Sequence, residues 1–85
     1  MSPENKTPAT VYGQPGCQPC KFVVKYLQSK GLMVKYHDVT EDANAMETIE
    51  TLGYKGTPVV FMGFEHTQGF NPPWIDERVD NVRLA

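Results

Sequence analysis

The stretch TPATVYGQPGCQPCKFVVKYLQSKG, residues 7–31, decides the fold. Residues 7–12 have the β-branched and aromatic content of a short strand. Glycine and proline in residues 13–16 predict a turn. From Cys17 the pattern becomes helical, because apolar residues recur every three or four positions, and Gly31 is a suitable end for that helix. A strand, a turn and a helix are therefore predicted in this order, with two cysteines where the helix begins.

The segment after Gly31 predicts a second strand and a second helix. Residues 33–39 are rich in β-branched and aromatic side chains and predict the strand. Thr40 or Asp42 can cap the helix that follows, and Gly53 can end it. The apolar side chains expected on its buried face are Ala45, Ile49 and Leu52.

The remaining sequence predicts a hairpin and a last helix. Residues 59–62 are an apolar strand, Gly63 allows a tight turn, and residues 64–66 predict a short edge strand. Asn71 is a good N-cap, and Pro72 suits the first position of the helix that follows. The side chains expected to be buried on this helix are Ile75, Val79 and Val82.

The predicted order of elements is β-α-β-α-β-β-α, which defines an α/β fold of one domain over residues 1–85. The first two strands are joined by a helix and should run parallel, whereas the last two are joined by a hairpin and must be antiparallel. We therefore expect a four-stranded mixed sheet with helices on both faces. Cys17 should lie at the carboxyl end of the first strand, where open α/β sheets place their sites.

Cys17 and Cys20 have the spacing of a redox-active pair. As the N-cap, Cys17 would face free N–H groups and the positive end of the helix dipole, which lower the pKa of its thiol below the usual value of about 8.5. Pro19 has no N–H, so the expected donor to the Cys17 sulfur is the backbone N–H of Cys20. Catalytic roles follow: Cys17 attacks a target disulfide, and the more buried Cys20 resolves the mixed disulfide.

Three other roles for a C-x-x-C pair compete with redox chemistry. A zinc site shared by two chains stays open as an alternative, because this spacing also suits metal ligands. His37 and His66 are far apart in sequence and are interpreted as ordinary surface residues without partners. Haem attachment requires a histidine after the second cysteine, where Lys21 stands. A structural disulfide over so short a loop would add little stability. No metal and no cofactor are expected.

Length, charge and composition restrict the partners and the compartment. The chain has 85 residues and a formal net charge of -2, and its lysines are spread along the sequence, so no nucleic-acid partner is expected. No apolar run reaches the ~20 residues that span a bilayer, and residues 1–6 lack the features of a signal peptide. In a reducing cytosol, paired cysteines are more often catalytic or metal-binding than structural. We therefore expect a cytoplasmic monomer with no membrane contact.

Two motifs resemble those of the thioredoxin-fold superfamily. CQPC at residues 17–20 follows the first strand, Thr57-Pro58 precedes the third, and the resemblance covers roughly residues 8–80. It implies a thioredoxin fold with a cis Thr57–Pro58 bond beside the cysteines. It also implies that the Thr57 backbone pairs with the extended chain of a substrate, as in strand addition to a sheet edge.

Within this superfamily the chain is most similar to the NrdH-type redoxins, which are glutaredoxin-like in sequence. Their late motif WSGFRP is echoed by TQGFNP at residues 67–72, in which Gly69, Phe70 and Pro72 match. The resemblance implies an NADPH-dependent thioredoxin reductase as the electron source. It implies ribonucleotide reductase, or another disulfide-containing protein, as the electron acceptor.

Three polar groups that anchor glutathione in glutaredoxins are absent. Gln14 stands where glutaredoxins have a lysine, Pro19 replaces a tyrosine, and an aspartate after the late glycines has no counterpart near Asn71. A charged tripeptide needs such anchors. A protein reductase is therefore predicted as the electron source, and a glutathione-dependent glutaredoxin is the alternative.

An apolar rim around the cysteines is predicted to contact the partner. Phe70 is expected to form it with Tyr12, Pro15 and Thr57. Three further aromatic side chains are interpreted as core residues: Phe22, Tyr26 and Trp74. The complete set predicted to contact substrate or partner is Tyr12, Gln14, Pro15, Gln18, Pro19, Thr57, Pro58, Gly69 and Phe70.

Overall fold

A computed structural model of the chain describes residues 8–84, and of residues 81–84 only the backbone. In chain order the elements are β1 (Pro8–Gly13), α1 (Gln18–Ser29), β2 (Met33–Asp38), α2 (Ala43–Thr51), β3 (Val59–Met62), β4 (Glu65–Gln68) and α3 (Pro72–Leu84). The predicted order of elements and the α/β class are confirmed. Thr7, predicted in the first strand, and the side chain of Val82, predicted in the core, lie outside the described residues.

The strands form one mixed sheet in the order β2-β1-β3-β4. β1 runs parallel to β2, as a helical crossover requires, and antiparallel to β3, which pairs antiparallel with β4. In this register Val11 lies opposite Tyr36 on one side and Val60 on the other. Because β1 is a central strand, its carboxyl end brings Cys17 to the middle of one end of the sheet.

Alternate side chains of the strands enter two apolar clusters, one on each face of the sheet. The cluster under α1 and α3 includes Val11, Leu27 and Ile75, which are almost completely buried. The cluster under α2 includes Val59 and Ile49. The predicted helices on both faces of the sheet are therefore confirmed.

Asp42 is the residue that caps α2. Its side chain accepts hydrogen bonds from the N–H groups of Asn44 at 3.0 Å and Ala45 at 3.2 Å. Thr40 instead donates its hydroxyl to Asp38 at 2.6 Å. Asp42 and not Thr40 is therefore the N-cap, because only the Asp42 carboxylate lies within hydrogen-bond distance of two free N–H groups of the first helical turn.

Two apolar side chains lie where the sequence pattern did not predict them. Leu52, predicted to be buried, is 39% exposed because it follows the last residue of α2 and borders an open hollow beside Phe61. Phe64, predicted in the edge strand, lies in the turn before β4 and is fully exposed. The positive φ of Gly63, 66°, closes that turn one residue later than the sequence pattern indicated.

Candidate active site

Cys17 and Cys20 lie where β1 passes into α1, and a disulfide joins them. Cys17 is the N-cap of α1, with an extended backbone (φ -91°, ψ 105°). Its Sγ accepts a hydrogen bond from the Cys20 N–H at 3.2 Å. The cap position was predicted from the change from strand to helix at Cys17 and the donor from the missing N–H of Pro19, and both are confirmed.

The two sulfurs differ in their access to solvent. Cys17 is half-buried, whereas Cys20 is only 1% exposed. The first turn of α1 contains no acidic side chain, so no carboxylate there opposes a negative charge on Cys17. The helix dipole and the Cys20 N–H both favour the thiolate when the pair is reduced. Cys17 is thus the sulfur that an incoming disulfide can reach.

Thr57 approaches Cys17 from the segment between α2 and β3. Its hydroxyl Oγ1 donates a hydrogen bond to the Cys17 Sγ at 3.7 Å, and the Thr57–Pro58 bond is cis, as the resemblance implied. Sequence reasoning assigned the Thr57 backbone to substrate pairing and Thr57 to the apolar rim, but it missed the hydroxyl as a donor to Cys17. The hydroxyl could have been recognised from the sequence, because a threonine before this proline supplies a hydrogen-bond donor that an aliphatic residue lacks.

Two further hydrogen bonds hold this segment against β4 and the residue that follows it. The Gly69 N–H donates to the Pro58 carbonyl at 2.8 Å, and the Gln68 side-chain amide donates to the Gly56 carbonyl at 3.2 Å. Gly69 has a φ of 91°, which glycine adopts without steric cost. A chain of contacts therefore links Gly69 through Pro58 and Thr57 to Cys17.

Replacing Thr57 by valine should raise the pKa of the reduced Cys17 thiol. Valine keeps the shape of the side chain but removes the donor, so the thiolate loses one hydrogen bond, which corresponds to an increase of about 0.5–1 pH units. The measurement is the rate of alkylation of Cys17 by iodoacetamide as a function of pH. Thr57→Ser is the matched control and should retain the wild-type profile. An unchanged profile in Thr57→Val would show that the hydroxyl does not stabilise the thiolate.

Four of the predicted contact residues surround the cysteines on exposed positions. Gln14 and Pro15 lie in the turn before Cys17, which is closed by a hydrogen bond from the Cys17 N–H to the Gln14 carbonyl at 3.3 Å. Gln18 and Pro19 are exposed at the start of α1. These side chains are free to contact a partner that approaches Cys17.

The predicted rim of Phe70 and Tyr12 is divided between two groups of aromatic side chains. The Tyr12 ring contacts those of His37 and Phe61, at centroid distances of 5.2 and 5.5 Å, within the cluster under α2. The Phe70 ring contacts other rings, those of α1, described next. The two rings predicted to share one rim therefore contact different partners, and Phe70 adjoins the site through its neighbour Gly69, which bonds to Pro58.

Phe22, Tyr26 and Phe70 form an aromatic patch beside α1. The Phe70 ring lies 5.6 Å from that of Tyr26 and 6.4 Å from that of Phe22, between centroids. Phe22 was predicted to be a core residue, and this is wrong, because its side chain is 53% exposed. The buried stripe of α1 runs through positions 20, 23 and 27, so helical spacing already placed Phe22 beside that stripe.

Both histidines have partners, contrary to their interpretation as isolated surface residues. His66 shares a hydrogen bond with the Tyr54 hydroxyl at 2.7 Å, and His37 lies 3.5 Å from the Asp42 carboxylate. Each partner comes from a different element, so no local sequence pattern indicated the contact. Trp74, by contrast, is half-buried against the α1–α3 cluster, as predicted.

Comparison with known proteins decides the family. A sequence model described as glutaredoxin matches residues 9–67, which hold the cysteine pair, Thr57-Pro58 and most of the sheet. The chain belongs to the glutaredoxin family. Its fold and its Cys17–Cys20 pair are those of a thiol–disulfide oxidoreductase of this family.

Relatives of this glutaredoxin-family chain occur in a phage and a prophage. The Gene 56 protein of Mycobacterium phage D29 is 34% identical over 76 residues, which cover 87% of the chain and 84% of that protein. The SPbeta prophage-derived thioredoxin-like protein YosR of Bacillus subtilis (strain 168) is 30% identical, with 82% and 91% covered. Among solved structures, the glutaredoxin-like NrdH-redoxin of Escherichia coli superposes with a TM-score of 0.77 at 24% identity, covering 82% of the chain and 92% of that protein. The thioredoxin-like fold is confirmed.

The described part of this glutaredoxin-family chain contains neither a three-residue metal-binding group nor a membrane-spanning helix. There, no three side chains of His, Cys, Asp or Glu come together as a metal-binding group. Within residues 8–84, no helix is both long enough and apolar enough to cross a bilayer.

Proposed function

We propose that this glutaredoxin-family protein is a dithiol electron carrier that reduces disulfides in other proteins. The observation that carries the proposal is the asymmetry of the pair. The Cys17 Sγ is accessible and accepts hydrogen bonds from the Cys20 N–H and the Thr57 hydroxyl, whereas Cys20 is almost completely buried. A partly accessible, stabilised thiolate and a protected second thiol suit the roles of nucleophile and resolver.

The proposed reaction has two exchange steps. The Cys17 thiolate attacks one sulfur of the target disulfide, whose S–S bond breaks, and the other sulfur leaves as a thiolate. Cys20 loses its proton to solvent and attacks the Cys17 sulfur, which forms the Cys17–Cys20 disulfide and releases the second target thiolate. Two electrons pass from the carrier to the target in each cycle.

The proposed electron source is an NADPH-dependent thioredoxin reductase. Gln14, Pro19 and Asn71 stand where glutaredoxins carry polar anchors for glutathione, and Gln14 and Pro19 are exposed with no charge to offer. The Escherichia coli NrdH-redoxin, which has the same fold, is described as having a thioredoxin-like activity profile. Both points favour a protein reductase over glutathione.

The proposed electron acceptor is ribonucleotide reductase or another cytoplasmic protein with an exchangeable disulfide. The Thr57 backbone would pair with the extended chain around that disulfide, and the aromatic patch would cover its apolar side chains. Gln18, Pro19, Pro58 and Gly69 complete the proposed contact surface. The carrier is proposed to work as a monomer of one domain.

A glutathione-dependent glutaredoxin is the second candidate, because the family model that matches residues 9–67 is that of glutaredoxin. The oxidised chain should be offered two reducing systems: NADPH with thioredoxin reductase, and NADPH with glutathione and glutathione reductase. We expect NADPH consumption with thioredoxin reductase and little with the glutathione system. Fast turnover with the glutathione system alone would contradict the proposal and favour a glutathione-dependent glutaredoxin.

Gln14→Lys is the matched variant for this experiment, because it restores one glutathione anchor at an exposed position. It should raise the glutathione-dependent rate. Such an increase would show that the missing anchors account for the preference of the wild-type chain for thioredoxin reductase. Zinc analysis of the reduced chain tests the remaining alternative. One zinc per two chains, lost on adding a chelator, would contradict the redox role.

A further inference from the structure

Charge is divided unevenly between the two halves of the chain. Residues 8–37 contain no Asp, Glu or Arg. They contain four lysines: Lys21, Lys25, Lys30 and Lys35. Of the ten Asp and Glu residues, Glu4 precedes this segment and all the others follow it. The β1–α1–β2 unit that carries the cysteines is therefore cationic within a protein of net charge -2. An acidic partner would be attracted to this unit and repelled by the rest of the molecule.

A hollow of about 380 Å³ opens between α1 and β2 on this unit. Its lining residues are Cys20, Lys21, Val24, Lys25, Gln28 and Tyr36. Cys20, Val24 and the Tyr36 ring provide apolar walls, and the exposed Lys21 and Lys25 stand on the same helix at its rim. No carboxylate is among these lining residues. The hollow thus combines an apolar interior with positive charge at its edge.

Gly13 makes room for the Tyr36 wall of the hollow. A Cβ at position 13 would lie 2.3 Å from the Tyr36 hydroxyl oxygen and 2.7 Å from Cζ, so any larger residue would push the ring away. Partial burial raises the pKa of Tyr36, and the nearby Asp38 carboxylate raises it further. The ring therefore lies across the end of β1 as a neutral wall beside Cys20.

We propose that this hollow binds an acidic segment, with one apolar side chain, of the protein whose disulfide Cys17 attacks. The apolar side chain would fill the hollow, and carboxylates beside it would meet the Lys21 and Lys25 ammonium groups. Charge complementarity selects this occupant, because the same cationic unit holds both the hollow and the redox pair. Lys30, further along α1, is paired with Asp76 at 3.2 Å, and Lys35 is not among the lining residues, so Lys21 and Lys25 are the positive charges at the rim of the hollow. The inference rests on the proposed function.

The test uses peptide disulfides as substrates for the reduced chain. Each short peptide carries one phenylalanine and one cysteine, which is blocked as a mixed disulfide with 2-mercaptoethanol, and is flanked by several glutamates or by several lysines. In each turnover the peptide cysteine and 2-mercaptoethanol are released as thiols, and the chain is oxidised to the Cys17–Cys20 disulfide. The uncharged 2-hydroxyethyl disulfide is the reference substrate for the exchange chemistry.

The wild-type chain should reduce the glutamate peptide faster than the lysine peptide at low salt. This preference should disappear in 1 M salt, where the screening length is about 3 Å. Lys25→Gln should lower the glutamate-to-reference rate ratio about twofold to fivefold, the scale of one exposed ion pair. Lys35→Gln removes an equal charge from the same unit, outside the hollow, and should lower that ratio less than Lys25→Gln does. Tyr36→Ala should lower the rate with each peptide relative to the rate with the reference substrate, because the apolar wall that binds the phenylalanine is lost.

Several outcomes would overturn the inference. Equal rates for the two peptides, or equal effects of Lys25→Gln and Lys35→Gln, would exclude an acidic partner at the hollow. Sedimentation showing dimers that dissociate in Lys25→Gln would assign the hollow to a second copy of the chain. Competition by a single-stranded oligonucleotide at physiological salt would assign it to nucleic acid. Failure to reduce even 2-hydroxyethyl disulfide would instead contradict the proposed function.

Discussion

Replacing Cys20 by serine is expected to trap the chain on its target as a mixed disulfide through Cys17. The first exchange step needs only the accessible Cys17 sulfur, whereas the second needs the Cys20 thiol that serine lacks. Turnover should fall by more than about a thousandfold, because the attacking thiol of the second step is removed, and losses of this scale follow removal of a covalent catalytic group. Intact-mass spectrometry after mixing the reduced variant with a peptide disulfide should show one peptide added, and reductant should remove it.

Cys17→Ser is the matched variant and should give neither turnover nor adduct. Its remaining thiol, Cys20, is 1% exposed on the buried side of the first turn of α1. If Cys17→Ser formed the adduct and Cys20→Ser did not, the roles of nucleophile and resolver would be reversed. If neither variant formed one, covalent exchange by this pair would be excluded.

Leu27→Ala should lower the free energy of unfolding by about 2–5 kcal/mol, because it removes a completely buried side chain and leaves a cavity. Leu27 is 0% exposed and packs in the cluster beneath α1 and α3. For a domain of this size, such a loss is a large part of the total stability. Urea denaturation followed by circular dichroism, with the disulfide intact in all samples, measures the change.

Leu52→Ala makes the same chemical change at an exposed position and serves as the control. Leu52 is 39% exposed at the end of α2, so its truncation should cost less than about 1 kcal/mol. Equal losses in the two variants would mean that Leu52 is buried in solution as the sequence pattern predicted. A small loss in Leu27→Ala would contradict its place in the core.

Local sequence signals predicted most of the fold. The helix of residues 18–29 begins after Cys17 and ends before Gly31, because an N-cap, a proline near the start and a glycine beyond the end act within a single turn. The connections predicted which strands are parallel, since a helical crossover and a tight hairpin each allow one arrangement. Prediction was wrong for Leu52, which follows the end of α2 and is exposed, and for Phe64, which lies before β4, because local periodicity does not specify the residue at which an element begins or ends.

The cysteine pair was determined by the sequence alone, down to the N–H that bonds to the Cys17 sulfur. Helix geometry within four residues sets that contact, so no distant part of the chain is involved. Only the tertiary structure brought the Thr57 hydroxyl to the same sulfur, placed Phe70 with Phe22 instead of Tyr12, and laid Tyr36 across Gly13 beside Cys20. These contacts join residues far apart in the chain, and their distances depend on strand order and packing, which a sequence pattern does not encode.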